Sequence, residues 1–100
     1  EAEAEELLRQ DLKKAEYSVR NNVKVPLTQN QFNALVSFTF NLGSAALEDS
    51  TLLKKLNRSE YASVPKELNK WVNGRINGKL VPLKGLVKRR KMEGILFETK

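Results

Sequence analysis

Neither cysteine nor histidine occurs in these 100 residues. The first absence excludes disulfides, thiolate nucleophiles and thiol redox switches, while leaving the compartment open because secreted proteins can also do without cysteine. The second excludes a Ser-His-Asp triad, however the serines and threonines are arranged. Together they leave only carboxylates to hold a zinc ion, so no metal site is expected, and nothing calls for a cofactor. There is no glycine-rich phosphate loop. No apolar run approaches the roughly 18 residues that a membrane span needs, and no charged start followed by an apolar stretch suggests a signal peptide.

What is present is the composition of a folded soluble domain, 40% hydrophobic and 30% charged, in a chain of 11.4 kDa that suits a single core, so residues 1–100 are read as one domain. The net charge of +6 is unevenly placed. Glu1, Glu3, Glu5, Glu6, Asp11 and Glu16 crowd the beginning, and Lys84, Lys88, Arg89, Arg90 and Lys91 crowd one stretch near the end. Such a basic stretch implies an anionic partner or a solvated face, and DNA, RNA, anionic lipid and an anionic wall polymer fit equally well at this level. The chain opens on Glu1 rather than methionine, from which a segment upstream is expected.

Hydrophobic spacing predicts a mainly helical fold. In "EAEAEELLRQDLKKAEYSV", Ala4, Leu8, Leu12, Ala15 and Val19 recur on one face of an amphipathic helix. Val23, Val25 and Pro26 mark an extended connector, and Thr28 with Gln31 forms a capping-box pattern that starts a second helix. That helix carries Phe32, Leu35, Val36 and Thr39 on one face, with Phe38 and Phe40 to its sides, and stops at Gly43. "GSAALED" reads as a loop in which Glu48 and Asp49 precede the next helix, started by Ser50 or Thr51 and ended near Asn57. Between residues 59 and 72, Pro65 forbids one continuous ladder, so two short helices are expected to meet there. Two Asn-Gly pairs in "VNGRINGKLVPLKG" suggest an ordered loop or a small hairpin. From Gly85 or Leu86 a last helix carries Val87, Met92, Ile95 and Leu96 among the basic residues.

Few residues point to chemistry. The basic helix could approach phosphate, but no helix-turn-helix spacing or stacking platform accompanies it, so no specific nucleic-acid contact is expected; the simpler reading is a solvated face over Met92, Leu96 and Phe97. Glycoside hydrolysis needs two carboxyl groups facing each other across a cleft, and none of Glu48, Asp49, Glu60, Glu67, Glu93 or Glu98 is singled out by its neighbours. Phe38 and Phe40 are core aromatics or groove contacts. Asn41, ending a helix beside a glycine, is the residue best suited to hydrogen-bond a sugar or an amide from a rigid element.

The order of segments is distinctive. "LTQNQFNALVSFTFNLGSAAL", "STLLKKLN", "YASVPKELNKWV" and "GLVKRRKMEGILF", with Phe40-Asn41-x-Gly43, Val64-Pro65, Trp71 and Arg89-Arg90-x-x-Glu93, resemble the C-terminal lobe of the phage-type lysozymes, glycoside hydrolase family 24, to which bacteriophage endolysins belong. The resemblance covers essentially the whole chain. It implies a lysozyme-like helical lobe of about five helices, with residues 1–20 as a connecting helix, forming one side of a cleft for peptidoglycan. It also implies hydrolysis of the β-1,4 bond after N-acetylmuramic acid, bacterial lysis, and passage from the host cytoplasm to the periplasm or wall. Phe40, Asn41 and Gly43 would lie nearest the substrate groove, with Arg89 and Arg90 as anionic contacts.

The family's catalytic glutamate, aspartate and threonine have no counterpart in this sequence, where Glu1 to Glu6 match the connector instead. The resemblance therefore implies a chain without a catalytic residue, silent by itself, partnered by peptidoglycan and by an N-terminal catalytic lobe. Two other readings compete: a noncatalytic peptidoglycan-binding or cell-envelope protein, and a scaffold in which a second copy covers apolar surface.

Overall fold

A computed structural model describes the backbone of residues 2–99 and the side chains of residues 10–74 and 77–99. The elements in chain order are α1 (Ala2–Asn22), α2 (Gln29–Leu42), α3 (Ser44–Glu48), α4 (Thr51–Asn57), a 3-10 turn (Tyr61–Ser63), α5 (Val64–Leu68), β1 (Asn73–Ile76), β2 (Lys79–Pro82) and α6 (Lys84–Glu98). The fold is mainly helical with one small hairpin, as the spacing predicts.

Helix α2 starts where its capping box says it should. Thr28 Oγ1 accepts from the Gln31 N–H at 3.1 Å, and Gln31 Oε1 accepts from the Thr28 N–H at 2.9 Å, so two donors that a helix start leaves free are satisfied. Its far end closes on Gly43, whose φ of 96° lies in a region that side chains disfavour and whose N–H donates to the Thr39 carbonyl at 2.7 Å. Gly43 also turns the chain straight into α3, where a loop is expected from the sequence. Ala45, Ala46 and Leu47 are good helix formers, and burying Leu47 completely in the core anchors the extra turn. Glu48 ends that helix, exposed beside Asp49.

Pro65 sits in the first turn of α5, where a missing N–H costs nothing, directly after the 3-10 turn. The break expected at this proline is therefore a restart rather than a kink. Of the two Asn-Gly pairs only Asn77-Gly78 makes a turn: both residues have positive φ, 52° and 82°, as a two-residue hairpin requires, and Ile76 pairs with Lys79 across it. Asn73-Gly74 lies within β1 instead. A Cβ on Gly74 would run into the Leu83 side chain, so glycine serves there for close approach.

The core gathers Val19, Leu35, Phe38, Leu47, Leu52, Leu56, Leu68 and Phe97 from all the main helices. Helix α2 packs against α1 and against α6, and α5 also packs on α6, where Gly94 lets Pro65 come close. Phe38 lies wholly inside, edge-on to Trp71 with ring centroids 5.5 Å apart. Of the expected apolar face of α1, Ala15 and Val19 are buried, Leu12 is partly exposed, and Ala4 and Leu8 lie outside the residues whose side chains are described. The connector after α1 is tied by one amide: Asn57 Nδ2 donates to the Asn22 carbonyl at 2.9 Å and Asn57 Oδ1 accepts from the Lys24 N–H at 2.7 Å. Tyr61 adds a second tie, its hydroxyl donating to the Pro26 carbonyl at 2.7 Å.

Ser50 caps α4 from a buried position, accepting from the Leu53 N–H at 3.0 Å while donating to the Leu47 carbonyl at 2.7 Å. Ser50→Ala removes both bonds at once. It is expected to destabilise the fold by about 1–2 kcal/mol, measurable as a lower urea midpoint with an unchanged slope.

Candidate functional site

Helix α6 presents the opposite face from the one its apolar residues suggest. Met92, expected with Leu96 and Phe97 beneath the basic surface, is exposed to 62%, and Val87 and Ile95 are exposed with it, whereas Arg90, Glu93, Gly94 and Phe97 face inward. Positions 90, 93, 94 and 97 share one stripe of a helix, so the buried face is self-consistent with a charged pair in it. Leu96 is partly buried and only Phe97 fulfils the expected role of core anchor.

Arg90 is the largest fully buried side chain. Its Nη2 donates to Glu93 Oε2 at 3.0 Å and to Asn41 Oδ1 at 2.9 Å, and its Nε lies 2.8 Å from Glu93 Oε1, close enough for an ion pair though poorly aligned for a hydrogen bond. The guanidinium carbon sits over the Phe38 ring, 5.3 Å from its centroid. Ser37 on α2 donates its hydroxyl to Glu93 Oε2 at 2.6 Å, and the half-buried Arg89 donates to the Ser37 hydroxyl at 3.3 Å. This network joins α2 to α6 and delivers Asn41 to the protein surface.

Burial pushes the Glu93 carboxyl above its ordinary value, while the Ser37 hydroxyl and the guanidiniums of Arg90 and Arg89 pull it back. Burial likewise lowers Arg90, offset by Glu93. A second buried carboxylate behaves in the opposite sense. Glu67 on α5 has both Lys70 and Lys55 at its Oε2, at 3.0 and 3.1 Å, and the hydrogen bond from Lys70 above all holds its carboxyl below the ordinary value despite burial.

The groove residues expected from the sequence divide between two places. Phe40, exposed to 36%, and Gly43 line a surface groove of about 270 Å³ with Asp11, Lys14, Ala15, Thr39 and Ser44, between α1 and the end of α2. Asn41, one residue on, is also exposed but turns its amide oxygen toward α6. Arg89 keeps part of its side chain in solvent beside a larger and mostly apolar groove of about 610 Å³, lined by Ser37, Lys88, Met92, Glu93 and Ile95 among others. Arg90, expected to meet an anion, is wholly buried and spent on Glu93 and Asn41, so the exposed cations of α6 are Lys84, Lys88 and Lys91. Sequence reasoning missed Ser37 and the role of Glu93; the available signal was the spacing of Arg90, Glu93 and Phe97 on one helical stripe. Among the described residues no cluster of His, Cys, Asp or Glu could hold a metal ion.

Comparison with known proteins gives a consistent relationship. The family model described as phage lysozyme matches residues 1–93. The endolysin of Acyrthosiphon pisum secondary endosymbiont phage 1 is 46% identical over 97 residues, which are 97% of this chain and 66% of that protein. Among solved structures, the muramidase domain of SpmX from Asticaccaulis excentricus is 40% identical with a TM-score of 0.90, covering 97% of this chain and 66% of that one. The endolysin from Escherichia coli O157:H7 phage FAHEc1 is 37% identical, also with a TM-score of 0.90, covering 97% of this chain and 61% of that one. The chain thus spans 66% or less of the length of these relatives.

The two buried carboxylates predict opposite pH dependences. The stability that Glu67 contributes is present above the ordinary 4.5 and is lost as pH falls through its lower folded value, whereas ionising Glu93 costs the fold stability as pH rises through the carboxylate range. Glu67→Gln is therefore expected to flatten the acid limb of stability against pH, read by urea denaturation between about pH 3 and pH 7. An unaltered acid limb would remove the lysine-paired role of Glu67.

Proposed function

Since the chain belongs to the phage lysozyme family, we propose that it serves peptidoglycan hydrolysis as the substrate-positioning lobe of a lysozyme and supplies no general acid of its own. The observation that carries this reading is the state of the buried carboxylates. A glycosidase acid must keep a proton beside the leaving oxygen, with a second carboxyl across the cleft. Glu67 lies against two lysines that hold it as an anion, and Glu93, though burial raises its carboxyl above the ordinary value, has almost no exposed surface and turns both oxygens inward to Arg90 and Ser37, out of reach of a leaving oxygen. Glu48 and Asp49 are exposed at the end of α3.

In this reading residues 1–100 form a single lobe, α1 is the connecting helix, and the end of α2 contributes Phe40, Asn41 and Gly43 to one wall of the cleft. The substrate is the alternating N-acetylglucosamine and N-acetylmuramic acid polymer. Lys88, Lys91 and the solvent-facing part of Arg89 supply attraction to an anionic wall, reached after release from the host cytoplasm. Among the described residues no helix is long and apolar enough to cross a membrane.

A second reading has one observation in its favour, the exposed apolar stripe of Val87, Met92 and Ile95 beside the larger groove. Surface of that kind is commonly covered by a partner, here a second copy in a dimeric scaffold. A monomeric mass by light scattering at high protein concentration would remove this reading.

The principal test is release of soluble muropeptides from purified peptidoglycan, followed by mass spectrometry. The chain is expected to release none while still sedimenting with the polymer at moderate salt. Products with reducing muramic acid ends would overturn the acid-free assignment and direct mutagenesis to Glu48, Asp49 and Glu67 one at a time.

A further inference from the structure

The chain carries two near-copies of one tetrapeptide, Val72-Asn73-Gly74-Arg75 and Ile76-Asn77-Gly78-Lys79, each a β-branched residue, an Asn-Gly pair and a cation. Asn-Gly is the pair most open to attack of a main-chain nitrogen on the preceding side-chain amide, because glycine has no side chain to hinder it. Local sequence gives the two copies equal standing. The hairpin does not.

Along an antiparallel ladder, hydrogen-bonded pairs alternate with unbonded ones. The Leu83 N–H donates to the Val72 carbonyl at 3.0 Å, which puts that pair in the bonded set. In the observed register Gly74 with Val81 and Ile76 with Lys79 belong to the same set, and Pro82, which has no N–H, falls opposite Asn73 in an unbonded pair. The Gly74 nitrogen is therefore committed to the Val81 carbonyl, and the Leu83 side chain packs so closely on Gly74 that no Cβ would fit. The Gly78 nitrogen lies in the two-residue turn, outside the ladder. Asn77 and Gly78 are both exposed, and no atom lies within 4 Å of where a Gly78 Cβ would be.

The turn geometry also favours cyclisation. Positive φ at Asn77 and Gly78, 52° and 82°, is the type I′ arrangement. Flipping the one peptide between them gives type II′, which carries the ψ of the first central residue from about 30° to about −120° and leaves Ile76 paired with Lys79. Gly78 takes up the accompanying change of φ from positive to negative without strain. A five-membered imide made from an asparagine requires a ψ close to that second value, so the hairpin reaches the reactive conformation with no ladder bond broken.

We infer that Asn77 is a site of spontaneous covalent modification, deamidation through a cyclic imide, and that the hairpin ladder keeps Asn73 from the same reaction. The Gly78 nitrogen attacks Asn77 Cγ: the N–Cγ bond forms, the Cγ–Nδ2 bond breaks, and the nitrogen's proton leaves with the side-chain amide as ammonia. Water then opens the imide at one carbonyl or the other, giving an aspartyl or an isoaspartyl residue. Either product adds a negative charge to the turn. The isoaspartyl form also routes the main chain through the β-carbon, lengthening a turn whose pairing depends on two residues, and so weakens the hairpin.

Trypsin separates the two sites, because cleavage after Lys70, Arg75 and Lys79 leaves Asn73 in residues 71–75 and Asn77 in residues 76–79. The folded chain is incubated at mildly alkaline pH, and the amide-to-acid mass gain of each peptide is followed by mass spectrometry after brief digestion. Asn77 is expected to convert about tenfold faster than Asn73, the factor set by the ladder bond that Gly74 must first release. In concentrated urea, where the ladder is gone, the two rates are expected to converge. Equal rates in the folded chain would overturn the inference, and so would a difference that persists in urea. Hydrogen exchange is expected to find the Gly74 amide protected and the Gly78 amide open, and any other order would overturn the assignment of the ladder. In the isoaspartyl fraction, isolated by its lower charge, the Gly74 amide is expected to exchange faster; unchanged exchange would overturn the effect on the hairpin.

Discussion

Arg90 is held by Glu93 and Asn41 at a depth where a charged side chain persists only if its partners are already in place, and that requirement fixes how α6 meets α2. Removing one member of such a pair strands the other and typically costs about 3–5 kcal/mol, far more than a buried pair contributes relative to apolar residues of the same size. The network therefore acts less as a source of stability than as a register mark. Any rotation of α6 that brought Met92 or Ile95 inward would carry Arg90 away from Asn41 and leave Glu93 without its cation. The exposed apolar residues of α6 are the other side of the same constraint: the stripe that would ordinarily bury them is occupied by charge.

That constraint also explains which parts of the molecule could be read in advance. Thr28 with Gln31, Ser50 and Pro65 act through their own few neighbours, so local sequence was sufficient to place α2, α4 and the break before α5, and it offered Asn77-Gly78 as one of two candidate turns. Helix α3 escaped because its stability comes from Leu47 reaching the core, a tertiary contact that no five-residue window contains. The facing of α6 escaped for a stronger reason. Hydrophobic periodicity assumes that apolar residues go inside, and here an i,i+3 ion pair takes that place because Ser37 and Asn41, some fifty positions earlier, complete it. At the candidate site the same distinction holds: Phe40, Asn41 and Gly43 could be nominated from one helix end, but only the fold separates Phe40 and Gly43 in one groove from Asn41, which faces α6.

The division of charge on α6 bears on attraction to a polymer. Its arginines and its lysines are not equivalent. Arg90 contributes to the net charge of +6 yet offers no contact surface, and Arg89 is half committed to Ser37 and Glu93. The exposed lysines are compact, mobile point charges suited to long-range, salt-sensitive attraction rather than to forked recognition of one group.

Asn57 has a mechanical consequence beyond satisfying two backbone groups. By bonding Asn22 at the end of α1 and Lys24 in the connector, its amide grips α1 at one end only, like a clamp on a lever. A helix of 21 residues is about 30 Å long, so a rotation of only about 5° at that grip sweeps the opposite end through roughly 2.5 Å. Stiffness there is shared between that amide and the packing of Ala15 and Val19 against the core. Small changes in those contacts are therefore magnified at the opposite end of α1.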